Sequence, residues 1–363
     1  MGDELVSFWS GKRVLITGHT GFKGSWLSAW LNELDAKVFG YALEPPTEPN
    51  MFESCGLEDR MTSHIGDIAD LEELTAFVTK CLPEIVFHLA AEPIVRASYT
   101  DPVTTFSTNV LGTVHVLEAA RQAPGVRAVV NVTSDKCYEN SRNTGAHSED
   151  DPMGGADPYS ASKGCAELAA ASYIDAFSLP VASVRAGNVL GGGDWAPDRI
   201  LPDCIRSLID GVPIKIRNPR SVRPWQHVLD PLKGYLMVGE NLLRDGVKWS
   251  GGWNFGPLTD KVVPVSDLVQ EVIALWGSGA WQTIDDNTAV AEAPFLALDA
   301  SKARDRLGWS SGLEWVQAID WAVSWYRRAM DEVESTALYE YTTKQIRDYQ
   351  ELVNRESVSS KVR

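Results

Sequence analysis

The chain has little cysteine: five residues (Cys55, Cys81, Cys137, Cys165, Cys204), an odd number with no CxxC spacing. That excludes a disulfide framework and a cysteine-rich zinc site, and it fits a reducing compartment. The six histidines form no HExxH pattern, so a zincin-type site is excluded and no metal is expected. Basic residues are outnumbered, 33 Lys and Arg against 49 Asp and Glu, for a formal net charge of −16. Such a chain lacks the basic face that nucleic-acid or anionic-membrane binding requires. A pocket on it can still be locally basic, so an anionic small molecule stays open as a ligand. No apolar run reaches 18 residues. The first residues, MGDELVSFWSGKR, are acidic at their start and do not form a signal peptide. A cytoplasmic protein with no membrane partner is expected. Internal repeats and low-complexity tracts are absent as well.

What remains is an ordinary globular composition, 363 residues with 44% hydrophobic and 23% charged. The length suits two cores, or one large sheet with an appended lobe. Strands are expected at Lys12–Thr17, Lys37–Leu43, Glu84–Leu89, Arg127–Thr133 and Val181–Ala186. Helices are expected at Lys23–Leu34, Glu72–Cys81, Val103–Gln122 and Ser160–Phe177. Apolar strands separated by helices mean a parallel sheet covered on both faces, a doubly wound α/β fold. After Gly187 the texture changes, with Gly, Pro, Arg and Trp concentrated in Gly187–Arg199 and Arg217–Val228 and a helix at Val265–Trp276. We therefore expect a cofactor-binding domain over 1–186 that carries the catalytic residues. A smaller α/β lobe over 187–340, returning in part to the sheet, and a polar helical tail over 341–363 with a frayed end would follow.

The first strand runs into Gly18-His19-Thr20-Gly21-Phe22-Lys23-Gly24, a GxxGxxG loop that opens a helix. Glycines there permit the tight turn and let backbone approach a pyrophosphate, whose charge sits at the helix N-terminus. Such a loop is weak evidence alone, but here it has the strand-to-helix context the motif demands. Asp67 and Ile68, shortly before the helix at Glu72–Cys81, suit the adenine end. Leu89, Ala90 and Ala91, at the end of the strand Glu84–Leu89, suit a flat cofactor lying across backbone. Glu44 is the acidic residue available for ribose hydroxyls, and no Arg or Lys stands beside it for a 2′-phosphate. NAD is favoured over NADP.

Tyr159 and Lys163 form a YxxxK pair, on one face of a helix at i, i+4. The ammonium can stabilise a phenolate, giving a base for a sugar hydroxyl during hydride transfer. Thr133-Ser134-Asp135-Lys136 closes the strand before that helix, at the carboxyl edge where ligands of such sheets bind. Thr133 can hydrogen-bond the reacting oxygen. Asp135 and Lys136 add two proton-transfer groups beyond what alcohol oxidation needs.

With these motifs the chain resembles the extended short-chain dehydrogenase/reductases and, within them, the CDP-glucose 4,6-dehydratases. The resemblance rests on Gly18–Leu27, Asn131–Asn140, Asp150–Gly155, Pro158–Glu167, Arg185–Arg199 and Arg223–Val228, and covers nearly the whole chain. It implies a Rossmann-type fold, bound NAD, a nucleotide-sugar substrate (CDP-glucose) and a homodimer or homotetramer. It also implies a reaction in which hydride leaves C4, water leaves across C5 and C6, and the hydride returns to C6. Asp135 would be the acid at the C6 hydroxyl and Lys136 the base at C5, with the reverse assignment open. The resemblance adds Asn109 to the cofactor set and Glu92 and Asn188 to the substrate set. Arg199 and Arg223 are candidate phosphate clamps, since a guanidinium matches phosphate bidentately. Asp194, Trp195, Asn218 and His227 would shape the nucleotide pocket. A 4-epimerase on the same fold would need Tyr159 and Lys163 but not Asp135 and Lys136. A non-catalytic cofactor sensor would need none of the four.

Overall fold

A computed structural model of the chain describes residues 7–139, 145–257, 263–284, 296–331 and 334–361. Seven strands form one parallel sheet: β1 (Arg13–Thr17), β2 (Lys37–Ala42), β3 (Thr62–Ile65), β4 (Ile85–His88), β5 (Ala128–Val132), β6 (Val181–Ala186) and β7 (Gly251–Phe255). Their order is β7-β6-β5-β4-β1-β2-β3, every pair parallel. The order reverses between β1 and β4, so the crevice at their carboxyl ends is the topological switch point where ligands of such sheets bind. β1, β4, β5 and β6 are almost wholly buried, as strands covered on both faces must be. β7 comes from beyond Gly187 and completes the sheet edge beside β6.

Helices α1 (Phe22–Glu33), α2 (Leu71–Cys81), α3 (Thr113–Gln122) and α4 (Pro158–Phe177) follow their strands as expected, within two residues at most ends. The exception is the expected continuous helix at 103–122. It is broken into Pro102–Phe106, a π segment at Ser107–Gly112, and α3. Such π turns recur at functional sites, and this one turns Asn109 inward. Beyond β6 come α5 (Ile200–Ile209), α6 (Leu229–Asp245), α7 (Val265–Trp276), α8 (Trp315–Met330) and α9 (Ser335–Lys361). The frayed end expected at 357–363 lies partly outside the described residues, as does Asn140 of the Asn131–Asn140 motif.

One core runs from α1 through β1, β4, β5 and β6 into α6 and α8, with Trp9, Trp26, Trp30, Trp253 and Trp325 fully buried in it. The glycine-rich loop after β6 is stapled to this core. Trp26 Nε1 donates to Gly192 O at 2.9 Å, and a Cβ on Gly192 would fall 2.2 Å from the Trp325 ring. No helix among the described residues is long and apolar enough to cross a membrane.

Candidate active site

The glycine loop has the backbone its motif requires. Gly18 sits at φ +75, and a Cβ there would lie 2.6 Å from Ala90 N. A Cβ on Gly24 would lie 2.1 Å from Gly18 O, so the first turn of α1 rests directly on the loop. Gly21 caps α1 without any side-chain hydrogen bond, leaving the helix's first N–H groups for an anion. Lys23 in that turn has its ammonium pushed down to about 8 by burial, then by Arg199, with Asp135 opposing. The loop residues fit a dinucleotide pyrophosphate. Beside them a hydrogen-bonded chain ties the sheet to the π segment. Ala90 N donates to Thr17 Oγ1 (3.3 Å), which pairs with His88 Nδ1 (2.7 Å). His88 Nε2 pairs with Thr113 Oγ1 (3.0 Å), which donates to Asn109 O (2.7 Å). Burial holds His88 down to about 3, so this histidine is neutral.

The YxxxK pair lies on a helix next to the end of β5. Asp157 caps α4 through Ser160 N (2.8 Å), and Pro158 opens it, so Tyr159, Lys163 and Glu167 rise on one buried face. Lys163 Nζ lies 6.0 Å from the Tyr159 ring centroid and 3.4 Å from Val132 O, at the end of β5. Burial holds the Lys163 ammonium down to about 8, Glu167 opposing. The Tyr159 phenol is pushed up to about 12 by burial, against a hydrogen bond with Ser134 and the Arg199 guanidinium. The lowering expected of Tyr159 does not appear, because desolvation of the phenolate outweighs the Ser134 hydrogen bond and the Arg199 charge.

At the end of β5, Ser134 caps the short turn Asp135–Cys137. Its Oγ accepts from Lys136 N (3.2 Å) and donates to Asp135 Oδ1 (3.0 Å). Asp135 is buried, and burial raises its carboxyl against Lys136, Ser134, Lys23 and Arg223. Lys136 is half-buried beside it. Lys23, Lys136, Lys163, Arg199 and Arg223 thus form one electrostatic cluster with Asp135 and Asp194. On a chain of net charge −16 this cluster is locally basic.

Other expected site residues are placed less simply. The His19 ring turns beneath Gly40, where its Nε2 pairs with Ser63 Oγ (2.7 Å) and burial holds it down to about 4. Thr20 gives its hydroxyl to Leu43 O. Asn109 spends its amide on Glu92 N, Glu92 O and Ser162 Oγ (2.8, 3.1 and 2.9 Å), making it a brace between the segment after β4 and α4. Ile68 is buried against Gly112, while Glu44, Asp67 and Asn218 are exposed. Leu89, Ala91, Phe22 and Asn188 are half-buried around the crevice. Arg199 pairs with Asp194 (2.9 Å), and Trp195 meets Tyr326 edge-on at 5.1 Å. Arg223 is buried within electrostatic reach of Asp135. His227 lies fully buried between Trp26 and Trp321, its Nδ1 accepting from Leu229 N (3.4 Å).

Three residues to which the motifs gave no role stand under the site. Thr133 donates its hydroxyl hydrogen to Glu167 Oε1, and Arg185 grips that carboxylate from Nε and Nη2, each at 2.8 Å. Arg185 also reaches the Tyr138 hydroxyl. The signal was present in the sequence: Glu167 continues the 159/163 spacing by four, and Arg185 is a charge inside an apolar strand.

Comparison with known proteins agrees with this geometry. The family model described as "NAD dependent epimerase/dehydratase family" matches residues 14–248. The chain is 51% identical over 330 residues to CDP-glucose 4,6-dehydratase of Salmonella typhimurium (strain LT2), covering 88% of this chain and 92% of that protein. It is 31% identical to dTDP-glucose 4,6-dehydratase of Streptomyces antibioticus, covering 86% and 92%. Among solved structures, dTDP-glucose 4,6-dehydratase of Bacillus anthracis in complex with NAD superposes with a TM-score of 0.74 at 23% identity, covering 88% and 97%. The last is a likeness of fold.

Proposed function

We propose that this chain, which belongs to the NAD dependent epimerase/dehydratase family, is a hydro-lyase that converts CDP-glucose to CDP-4-keto-6-deoxyglucose and water. The observation that carries the reading is the pairing of Tyr159 and Lys163 with a buried Asp135 beside Lys136, in one locally basic cluster. The relative at 51% identity bears the corresponding name. Bound NAD supplies a hydride acceptor that is regenerated within each turnover. Gly18, Gly21 and Gly24 would hold its pyrophosphate, with Leu89, Ala90 and Ala91 beneath it.

Tyr159, as phenolate, takes the proton of the C4 hydroxyl as hydride leaves C4 and becomes the phenol, and the charges of Lys163 and Arg199 favour the phenolate with which the step begins. The 4-ketone acidifies the C5 proton. Elimination then needs an acid at the C6 hydroxyl and a base at C5. Burial raises the Asp135 carboxyl, the direction an acid requires, so Asp135 protonates the leaving hydroxyl and Lys136 takes the C5 proton. Hydride returns to C6, a proton returns to C5, and the cycle closes. Arg223, buried at the pocket wall, binds the diphosphate. The substrate lobe is 187–340 without β7, and the Rossmann domain is 1–186 with it. Val103, Phe106, Leu111 and Leu168 stand exposed on the segment before α3 and on α4, an apolar surface suited to a helix-paired homodimer of a cytoplasmic enzyme.

The test is incubation with CDP-glucose, dTDP-glucose and GDP-mannose, assaying 4-keto-sugar formation. CDP-glucose should lead by at least about 10²-fold in kcat/KM, about 2.7 kcal/mol of transition-state discrimination. Equal rates with dTDP-glucose would overturn the nucleotide assignment. Substrate deuterated at C4 should give product deuterated at C6, and deuterium released in free NADH would overturn the internal cycle.

A further inference from the structure

Asp135 and Lys136 stand on a turn of three residues, Asp135–Cys137. Within it Lys136 N donates to Ser134 Oγ and Cys137 N to Ser134 O, each at 3.2 Å. A single tight turn of this kind has poor hydrogen-bond geometry, so its place must be fixed from outside. The segment that follows supplies the fixing. Gly154 N donates to Cys137 O (2.8 Å), Glu139 N donates to Pro152 O (2.9 Å), and Tyr138 forms an antiparallel bridge with Met153. Cys137 and Tyr138 are both buried.

The Tyr138 hydroxyl reaches the sheet. It accepts from Arg185 Nη1 and donates to Asn254 Oδ1 at 2.7 Å. Arg185 and Asn254 are register partners on β6 and β7, so their side chains leave the same face. Both are held in turn. Arg185 forks onto Glu167, a Cβ on Gly252 would lie 2.4 Å from its Nη2, and Asn254 Nδ2 donates to His147 O at 2.9 Å. A phenylalanine at 138 would fill the same space, so packing alone gives no reason for the hydroxyl. Tyr159 and Lys163, by contrast, are placed by the backbone of α4, a helix of 20 residues.

We propose that Tyr138 is a positioning residue for the elimination step: its hydroxyl, held between Arg185 and Asn254, fixes against the sheet the turn that carries Asp135 and Lys136. The proposal rests on the reaction assigned above. Elimination needs an acid at the C6 hydroxyl and a base at C5 at the same moment, so it depends on where this turn lies. Hydride removal at C4 depends on α4 instead. Loss of the Tyr138 hydroxyl therefore slows the second step and spares the first.

The experiment compares Tyr138→Phe with the wild type in single turnover. CDP-glucose is added to the full-length enzyme with NAD bound, and the rise and decay of enzyme-bound NADH are followed by absorbance, with 4-keto-6-deoxy product measured in quenched samples. Phenylalanine keeps the ring stacked on His147 (4.7 Å between centroids) and under the Arg185 guanidinium (5.0 Å), so the hydroxyl is the group removed. Bound NADH should form within about twofold of the wild-type rate. Its decay and the appearance of product should slow by about tenfold or more, since a misplacement of about 1 Å can cost about 10²-fold. A variant that merely folds less well would lose amplitude in both phases and keep both rate constants. Wild-type rate constants in both phases overturn the proposal, and so does equal slowing of both. If Tyr138→Phe does not fold, Asn254→Ala, which takes the acceptor from the Tyr138 hydroxyl, enters the same comparison with the same outcomes. Failure of the wild type to oxidise CDP-glucose would overturn the functional reading instead. The comparison is then run on whichever nucleotide sugar builds bound NADH, and if none does, both readings fall.

Discussion

Gly21→Ala separates a dinucleotide site from a plain strand-to-helix turn, because the three loop glycines make different structural demands. Gly18 needs its positive φ and its contact with Ala90, and Gly24 has no room for a Cβ. Gly21 has neither constraint. Its backbone is extended (φ −81, ψ 168), and the nearest atom to an added Cβ is Gly18 O at 3.4 Å. Alanine is a poorer N-cap than glycine by up to about 1 kcal/mol. The lower entropy of its unfolded chain returns about 0.4–1 kcal/mol. Net stability should therefore move by less than about 1 kcal/mol, a shift of a few degrees in Tm at most for a chain of this size. The new methyl nonetheless stands over the uncapped start of α1, where a pyrophosphate must approach the backbone N–H groups. NAD affinity should fall at least about tenfold, or 1.4 kcal/mol. Calorimetric titration with NAD and thermal unfolding, each on the wild type and the variant, measure the two quantities separately. An unchanged NAD dissociation constant in a normally folded Gly21→Ala protein would refute the reasoning, and the loop would be only a turn.

The elimination pair should separate from the oxidation groups: Asp135→Asn and Lys136→Met should still build enzyme-bound NADH when CDP-glucose is added, yet release little product. The variant lacking the C5 base should also lose deuterium uptake from solvent at C5, and normal turnover in both would move elimination elsewhere. Arg223→Ala should raise KM more than it lowers kcat, as ground-state binding of a diphosphate requires; steady-state kinetics showing the reverse would place Arg223 in the chemistry. His227→Phe concerns stability. Burial holds His227 down to about 3 in the folded protein, so between that value and the ordinary ~6.5 the unfolded chain binds the extra proton, and stability is lost as pH falls. From pH 7 to pH 5 this one group accounts for about 2 kcal/mol of the loss. Chemical denaturation at the two pH values should show a correspondingly smaller gap in His227→Phe, and an equal gap would mean that His227 is protonated in the fold.

Much of this protein is legible in its sequence. The apolar runs from Arg13 to Ala186 could be satisfied only by a sheet buried on both faces, so the doubly wound architecture followed from local pattern. The glycine loop and the 159/163 spacing were equally local, because a turn of helix or a tight loop places its own residues without help from distant chain. Other features depended on contacts across the sequence. A uniform helix pattern at 103–122 concealed the π segment, since the register slip at Ser107–Gly112 is accompanied by Asn109's bonds to Glu92 and Ser162. The burial of His227 depends on Trp26 and Trp321, some 200 and 94 positions away in the chain. The shift of Tyr159 also escaped the sequence, because spacing gives the position of Lys163 but not the cost of desolvating a phenolate. The anchor on Tyr138 is the sharpest case. Arg185 and Asn254 come from two strands, 47 and 116 residues from Tyr138. Only where β7 lies beside β6 do their side chains stand together, and only there does the Tyr138 hydroxyl find both its donor and its acceptor.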